Sequence, residues 1–202
     1  ALIIGFKYGV ALGLFSNESV LGTAPIAAAS AQTKNPVRQA MVSMTGTFWD
    51  TVVVCAVTGI VIVSSQLRLP ELYTNAADDA LTQIAFAQLP YVGSYVLAIA
   101  LSIFAFTTIL GWSYYGERCV TYLFGAKRVT PYRILFLAVL FYGAVADLGV
   151  IWTFSDLMNG LMAFPNLVSV LLLSGVIVKE TRHYLWEKRL DENAPPVPEV
   201  DE

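Results

Sequence analysis

The chain has 202 residues and a net charge of −3, with 56% hydrophobic residues, 13% charged residues and a mean hydropathy of +0.64. That is too apolar and too poor in charge for an ordinary soluble domain, and it predicts an all-α integral membrane protein. Most basic residues fall in three short segments and five acids close the chain, a distribution that gives nucleic-acid binding no support.

The first predicted element, 1–33, is a spanning helix with a break inside it. Ala1 to Phe15 is apolar apart from Lys7, and Ile26 to Ala31 is a run of small residues. Between them runs Gly13-Leu-Phe-Ser-Asn-Glu-Ser-Val-Leu-Gly-Thr-Ala-Pro25. A span needs about 20 apolar residues, so Ser16, Asn17, Glu18 and Ser19 fall near its middle, where irregular backbone is tolerated only inside protein or beside water. The first half-helix then ends with carbonyls around Leu14, Phe15 and Ser16 carrying partial negative charge. The second, capped by Ser19 or Thr23 ahead of Pro25, starts with partial positive charge. One end suits an ammonium group or a cation and the other a carboxylate, so the natural ligand of residues 14–19 is an amino acid. The alternative is an exposed loop between two short helices, in which Glu18 is unremarkable; at membrane depth its carboxylate is functional or paired.

Lys34-Asn35-Pro36-Val37-Arg38 is a basic turn, cytoplasmic by the positive-inside rule. A second span, 41–64, carries Asp50, either an interfacial residue or a buried structural partner. Residues 65–91 are polar with Arg68 as their one basic residue, which places them outside; a helical pattern in 76–89 caps a vestibule or forms a passive loop.

The third span, 92–115, carries Thr107 and Thr108 at adjacent positions, with the Phe104 carbonyl one turn earlier on the same side. Hard cations prefer such oxygen ligands, although threonines in membrane helices also bond the preceding carbonyl or cross-link helices. Trp112, one turn beyond Thr108, either lines a pocket or anchors the span at the interface.

Glu117, Arg118, Lys127, Arg128 and Arg133 make the next loop cytoplasmic. The fourth span, 134–150, holds Asp147, and the fifth, 151–178, holds Asp156, Asn159 and a kink at Pro165 that leaves one helix or two open. Lys179, Arg182, Lys188 and Arg189 place the C terminus in the cytoplasm. The transmembrane domain is thus 1–185, followed by a disordered acidic tail, 186–202.

Cys55 and Cys119 read as small buried hydrophobes outside any metal or disulfide framework. Ser16 or Ser19 beside Glu18 is the one cluster with a nucleophile and a base, too thin a basis for an enzyme. The chain starts at Ala1 within an apolar run, which reads as the later part of something longer.

Several stretches together resemble the sodium:alanine symporter family, the alanine or glycine:cation symporters. The pattern R-G-L-F-S-N-E-A-G-x-G-S-A-P is matched by Gly13 to Glu18 and by Gly22, Ala24 and Pro25. Pro36 to Gln39, Asp50-Thr51 with Val54-Cys55, Phe104 to Glu117, Tyr122 to Gly125 and Asn159 to Asn166 match in order. Leu12 stands where the family has Arg, and Ser19-Val20 replace Ala-Gly, a change that makes the break less permissive.

The resemblance implies the second five-helix repeat of an inverted-repeat (LeuT-like) transporter fold with a broken first helix. Its partner is then a missing N-terminal repeat of the same protein, and its surroundings are the lipid of the cell membrane. By the same analogy sodium, the coupling ion, sits between the absent first helix and Phe104, Thr107 and Thr108, and Trp112 closes the pocket over a small side chain. The implied activity is sodium-coupled symport of alanine or glycine by alternating access. The alternative is a non-transporting membrane scaffold or truncated transporter remnant.

Overall fold

The computed structural model describes residues 2–18, 20–74, 76 and 80–195, and every regular element among them is helical. In chain order the α-helices, with the π-helical stretch between the third and fourth, are α1 (Leu2–Asn17), α2 (Ala24–Ala28), α3 (Pro36–Thr47), the π-helical stretch (Phe48–Val54), α4 (Cys55–Arg68), α5 (Leu81–Ala87), α6 (Gly93–Phe124), α7 (Val129–Val145), α8 (Leu148–Leu172) and α9 (Ser174–Thr181). Among the described residues four helical stretches are long and apolar enough to cross a membrane: Pro36–Arg68, Gly93–Phe124, Ala126–Val145 and Leu148–Leu172. α1 is shorter. Its 16 residues reach about 24 Å, less than the roughly 30 Å of a hydrocarbon core, because the helix ends at the polar break.

The helix limits differ from the hydropathy windows for local reasons. The second span starts at Pro36 rather than 41, since Asn35 caps it and Pro36 takes the first-turn position where its missing N–H costs nothing. Asp50 lies in the π-helical stretch of that span. The third span runs on from 115 to Phe124, as no breaker intervenes before Gly125, whose φ is 78°. The expected boundary at 150/151 falls instead at Ala146-Asp147. Asp147 is not a residue of the fourth span; its Oδ1 accepts hydrogen bonds from the Gly149 and Val150 amides at 3.0 and 3.2 Å and starts α8. Pro165 lies inside α8, and the chain divides only at Leu173, before α9. Of the 65–91 segment, α5 falls within the expected helical pattern, whereas Asn75 and 77–79 are outside the described residues.

The helices present large apolar side chains outward. Ile60, Phe104, Phe141 and Leu171 are all more than 60% exposed, a surface that suits lipid or protein and not water. Cys55 and Cys119 share this exposure, which corrects the expectation that both are buried. They lie on helices with few buried positions, and each helix has more apolar residues than its packed face holds.

Two compact units divide the chain. One comprises residues up to Trp49 together with those from Ala146 onward, the other Asp50–Val145. In the second, Tyr73 and Ser65 are both buried and their hydroxyls are hydrogen-bonded at 2.7 Å, which folds the segment after α4 back on that helix. α6 and α7 meet where Gly116 leaves room for Tyr132, and Arg133 forks onto Glu117, with Nη2 to Oε2 at 2.9 Å.

In the first unit the acidic segment expected to be free from 186 is held as far as Ala194. After the π turn Arg182–Trp186 it runs along the basic turn 34–38. Asn35, 2% exposed, organises the contact. Its Oδ1 accepts from the Arg38 amide at 2.9 Å, while its Nδ2 donates to the Leu190 and Glu192 carbonyls at 2.9 and 3.0 Å. The Ala194 amide donates to the Lys34 carbonyl at 2.6 Å, and Asp191 meets Arg38 at 2.9 Å and Lys34 at 3.8 Å. Composition alone describes these residues as disordered; the buried carboxamide of Asn35 gives their backbone hydrogen-bond partners, and the exposed pair at Asp191 adds little. Residues 196–202 lie outside the described residues.

Asn35→Ala removes a helix cap and leaves two carbonyls without a donor, a loss of about 2–3 kcal/mol. The expected result is a lower unfolding temperature in detergent and faster proteolysis after residue 186. Asn35→Asp keeps the cap acceptor but not the donors and falls between the two.

Candidate functional site

α1 stops at Asn17 because Ser16 and Asn17 are weak helix formers of the kind whose side chains compete for backbone groups. Glu18 then takes φ 58° and Gly22 φ 79°. The left-handed region is free for glycine and costs other residues roughly 1 kcal/mol or more, so strain is concentrated at Glu18. Positive φ does not fall on Val20, and the valine found there in place of the family glycine needs no special backbone. The Leu21 amide donates to the Glu18 carbonyl at 3.1 Å and closes the turn.

Two side chains cross the break. Thr23, 4% exposed, donates its hydroxyl to Glu18 Oε2 at 3.1 Å. This corrects the expected capping role: Thr23 occupies the N-cap position of α2 with φ −84° and ψ −35°, and its side chain caps nothing. A capping side chain accepts from the first-turn amides when its own residue lies outside the helical region; Thr23 is itself helical, so its hydroxyl is left to donate to the carboxylate. Glu18 is therefore half-buried and hydrogen-bonded. The second half-helix is a single turn of 5 residues, so its dipole is small.

The other crossing comes from α8. Asn166 Nδ2 donates to the Val20 carbonyl at 2.8 Å. The same carboxamide lies against Gly22, where a Cβ would come within 2.8 Å of Asn166 Oδ1 and 3.2 Å of its Cβ. Sequence reasoning had no role for Asn166 beyond its place in the segment Asn159–Asn166. The available signal was a carboxamide directly after a helix-interior proline in an apolar span.

The structure brings Phe15, Ser16 and Glu18 together at the break, with Phe15 and Glu18 half-buried and Ser16 exposed. Ser19, and the side chains of Leu14 and Asn17, lie outside what is described. Phe104, Thr107, Thr108 and Trp112 belong to α6 in the other unit. α6 is unbroken, so Thr108 and Trp112 share a face as expected. Thr107 Oγ1 donates to the Ile103 and Phe104 carbonyls, both at 3.0 Å. A hydroxyl that gives its proton to the preceding turn keeps its lone pairs pointing away from the helix. Phe104, Thr107 and Thr108 are exposed, and Trp112 is half-buried, edge-on to Tyr115 at 6.0 Å. Among the described residues no group of three His, Cys, Asp or Glu side chains is placed to hold a metal ion.

The profile of the sodium:alanine symporter family matches residues 2–197. The chain belongs to that family. It is 50% identical over 177 residues to the sodium/alanine symporter AgcS of Methanococcus maripaludis, covering 88% of this chain and 39% of that protein. It is 37% identical to the probable sodium/glutamine symporter GlnT of Bacillus subtilis, covering 94% of this chain and 39% of the relative. A sodium/proton-dependent alanine carrier protein of Bacillus sp. PS3 is 32% identical, with 82% and 41% covered. The chain thus spans about two fifths of the length of these relatives. No solved structure matches it. The family and these relatives are transporters, not enzymes.

Gly22→Ala forces a Cβ onto Asn166 at a left-handed φ and is expected to lower stability by about 2 kcal/mol or more. Gly13→Ala, in α1 with open space around it, is expected to be neutral or stabilising by up to about 1 kcal/mol. Thermal unfolding of the two variants in detergent checks both signs.

Proposed function

We propose that the complete gene product carrying this chain imports a small neutral amino acid, alanine or glycine, across the cell membrane by sodium-coupled symport. The observation that carries the reading is the break between α1 and α2, a half-buried stretch of irregular backbone with a carboxylate in it, inside a chain otherwise built of apolar helices. The reading takes this chain as the second five-helix repeat of an inverted-repeat, LeuT-like fold. A preceding repeat of the same protein is the partner, lipid surrounds both, and the basic segments keep the C terminus in the cytoplasm.

In this mechanism the substrate amine rests near the Leu14 to Ser16 carbonyls at the end of α1, where the helix dipole is negative. By the family resemblance Asn17, Glu18 and Ser19 also belong to the substrate set, and Trp112 limits the side chain to a small one. The Phe104 carbonyl and the Thr107 and Thr108 hydroxyls supply neutral oxygens to sodium. An ion bound there and to the preceding repeat favours the outward-open state, and substrate then permits rocking inward. Coupling follows because both ligands prefer one state over the other.

Vesicles holding the complete gene product test the proposal by uptake of labelled alanine and glycine, with and without an inward sodium gradient. The expected result is gradient-driven uptake, with Thr108→Ala losing sodium dependence. Uptake driven by a proton gradient alone reassigns the coupling ion. No uptake of either amino acid by folded protein favours the scaffold reading.

A further inference from the structure

We infer that Asn166 is the positioning residue of the break: one carboxamide on α8 sets the shape of the unwound segment between Glu18 and Thr23 and, through it, the affinity for substrate. The inference rests on the reading that the break binds the amino acid.

A carboxamide in an apolar helix is costly unless both its ends are satisfied, so a partner for it is expected, and the break supplies one. Nδ2 donates to the Val20 carbonyl at 2.8 Å, and Oδ1 bounds the space beside Gly22. The assignment of nitrogen to the carbonyl follows from chemistry, since an amide oxygen there would face another oxygen. The two contacts fall on residues 20 and 22, on either side of buried Leu21, and fix both the rotation and the depth of the segment. The hydrogen bond from Thr23 to Glu18 joins residues of the break to each other and not to the scaffold. Asn166, on α8, supplies a reference outside the break.

Its own position is well defined. It follows Pro165, which has a fixed φ and no N–H, and one turn further on Ser169 Oγ donates to the Pro165 carbonyl at 2.9 Å. Displacing α8 at this point displaces the Val20 carbonyl with it. A purely structural cross-link would hold the helices together without affecting how the break meets its ligand, and the experiment separates the two roles.

The measurement is the KM and Vmax of sodium-driven alanine uptake by the complete gene product in vesicles, normalised to folded protein. Asn166→Leu, similar in size but without a donor, and Asn166→Asp, nearly isosteric but presenting an acceptor to the Val20 carbonyl, are each expected to raise KM about tenfold, with Vmax changed less. Asn166→Gln keeps the donor and is expected to restore KM to within about threefold. The KM effects of Gly22→Ala and Asn166→Ala are expected to be non-additive, because the two residues touch. An unchanged KM in both the Leu and Asp variants, with any loss confined to Vmax or folded yield, overturns the inference while leaving the transport reading intact. Absence of uptake by the unmodified protein overturns the transport reading, and the inference falls with it.

Discussion

Backbone that leaves the helical ladder in apolar surroundings must find other partners for its polar groups, since each one left unsatisfied costs several kcal/mol. The first unit is arranged to meet that demand at one place. The Glu18 carbonyl takes the Leu21 amide, the Val20 carbonyl takes Asn166, and the Glu18 carboxylate takes Thr23. The strain at Glu18 persists because these bonds over-determine the turn. A segment held so is rigid enough to present a defined surface. It is also weaker than a helix, since few bonds need to change for it to open.

The second unit shows a different economy. α6 runs for 32 residues without a break, and several of its polar side chains bond within the helix or to its neighbour. Thr107 bonds its own preceding turn, and Glu117 takes the Arg133 fork. A ligand set of a carbonyl and hydroxyls on such a helix is fixed in register by the helix itself.

The segment after α9 illustrates how tertiary pairing overrides composition. Its acids and prolines describe a chain too polar to bury anything. Yet Asp191 faces Lys34 and Arg38, and Asn35 spends both amide hydrogens on the Leu190 and Glu192 carbonyls. The same basic turn that reads as a topology signal is also the surface on which this segment is ordered.

What could be read from the sequence were properties of neighbouring residues. Apolar runs of spanning length gave the all-helical class, and the polar stretch Ser16-Asn17-Glu18 gave the break. The fourth and fifth span limits were misplaced although Asp147 is an equally local cap, because a hydropathy window weighs apolarity over seventeen or more residues and is blind to one carboxylate. The partners of these features depended on the fold. Asn166 reaches Val20 across 146 residues of chain and Asn35 reaches Leu190 across 155. Thr23 turned from the expected cap to Glu18 only because the left-handed turn at 18 brings the carboxylate round. Periodicity and propensity act over one or two helical turns, whereas a hydrogen bond forms wherever folding brings donor and acceptor within about 3 Å, so the local code sets where the helix breaks and the packing of distant elements sets what holds the break.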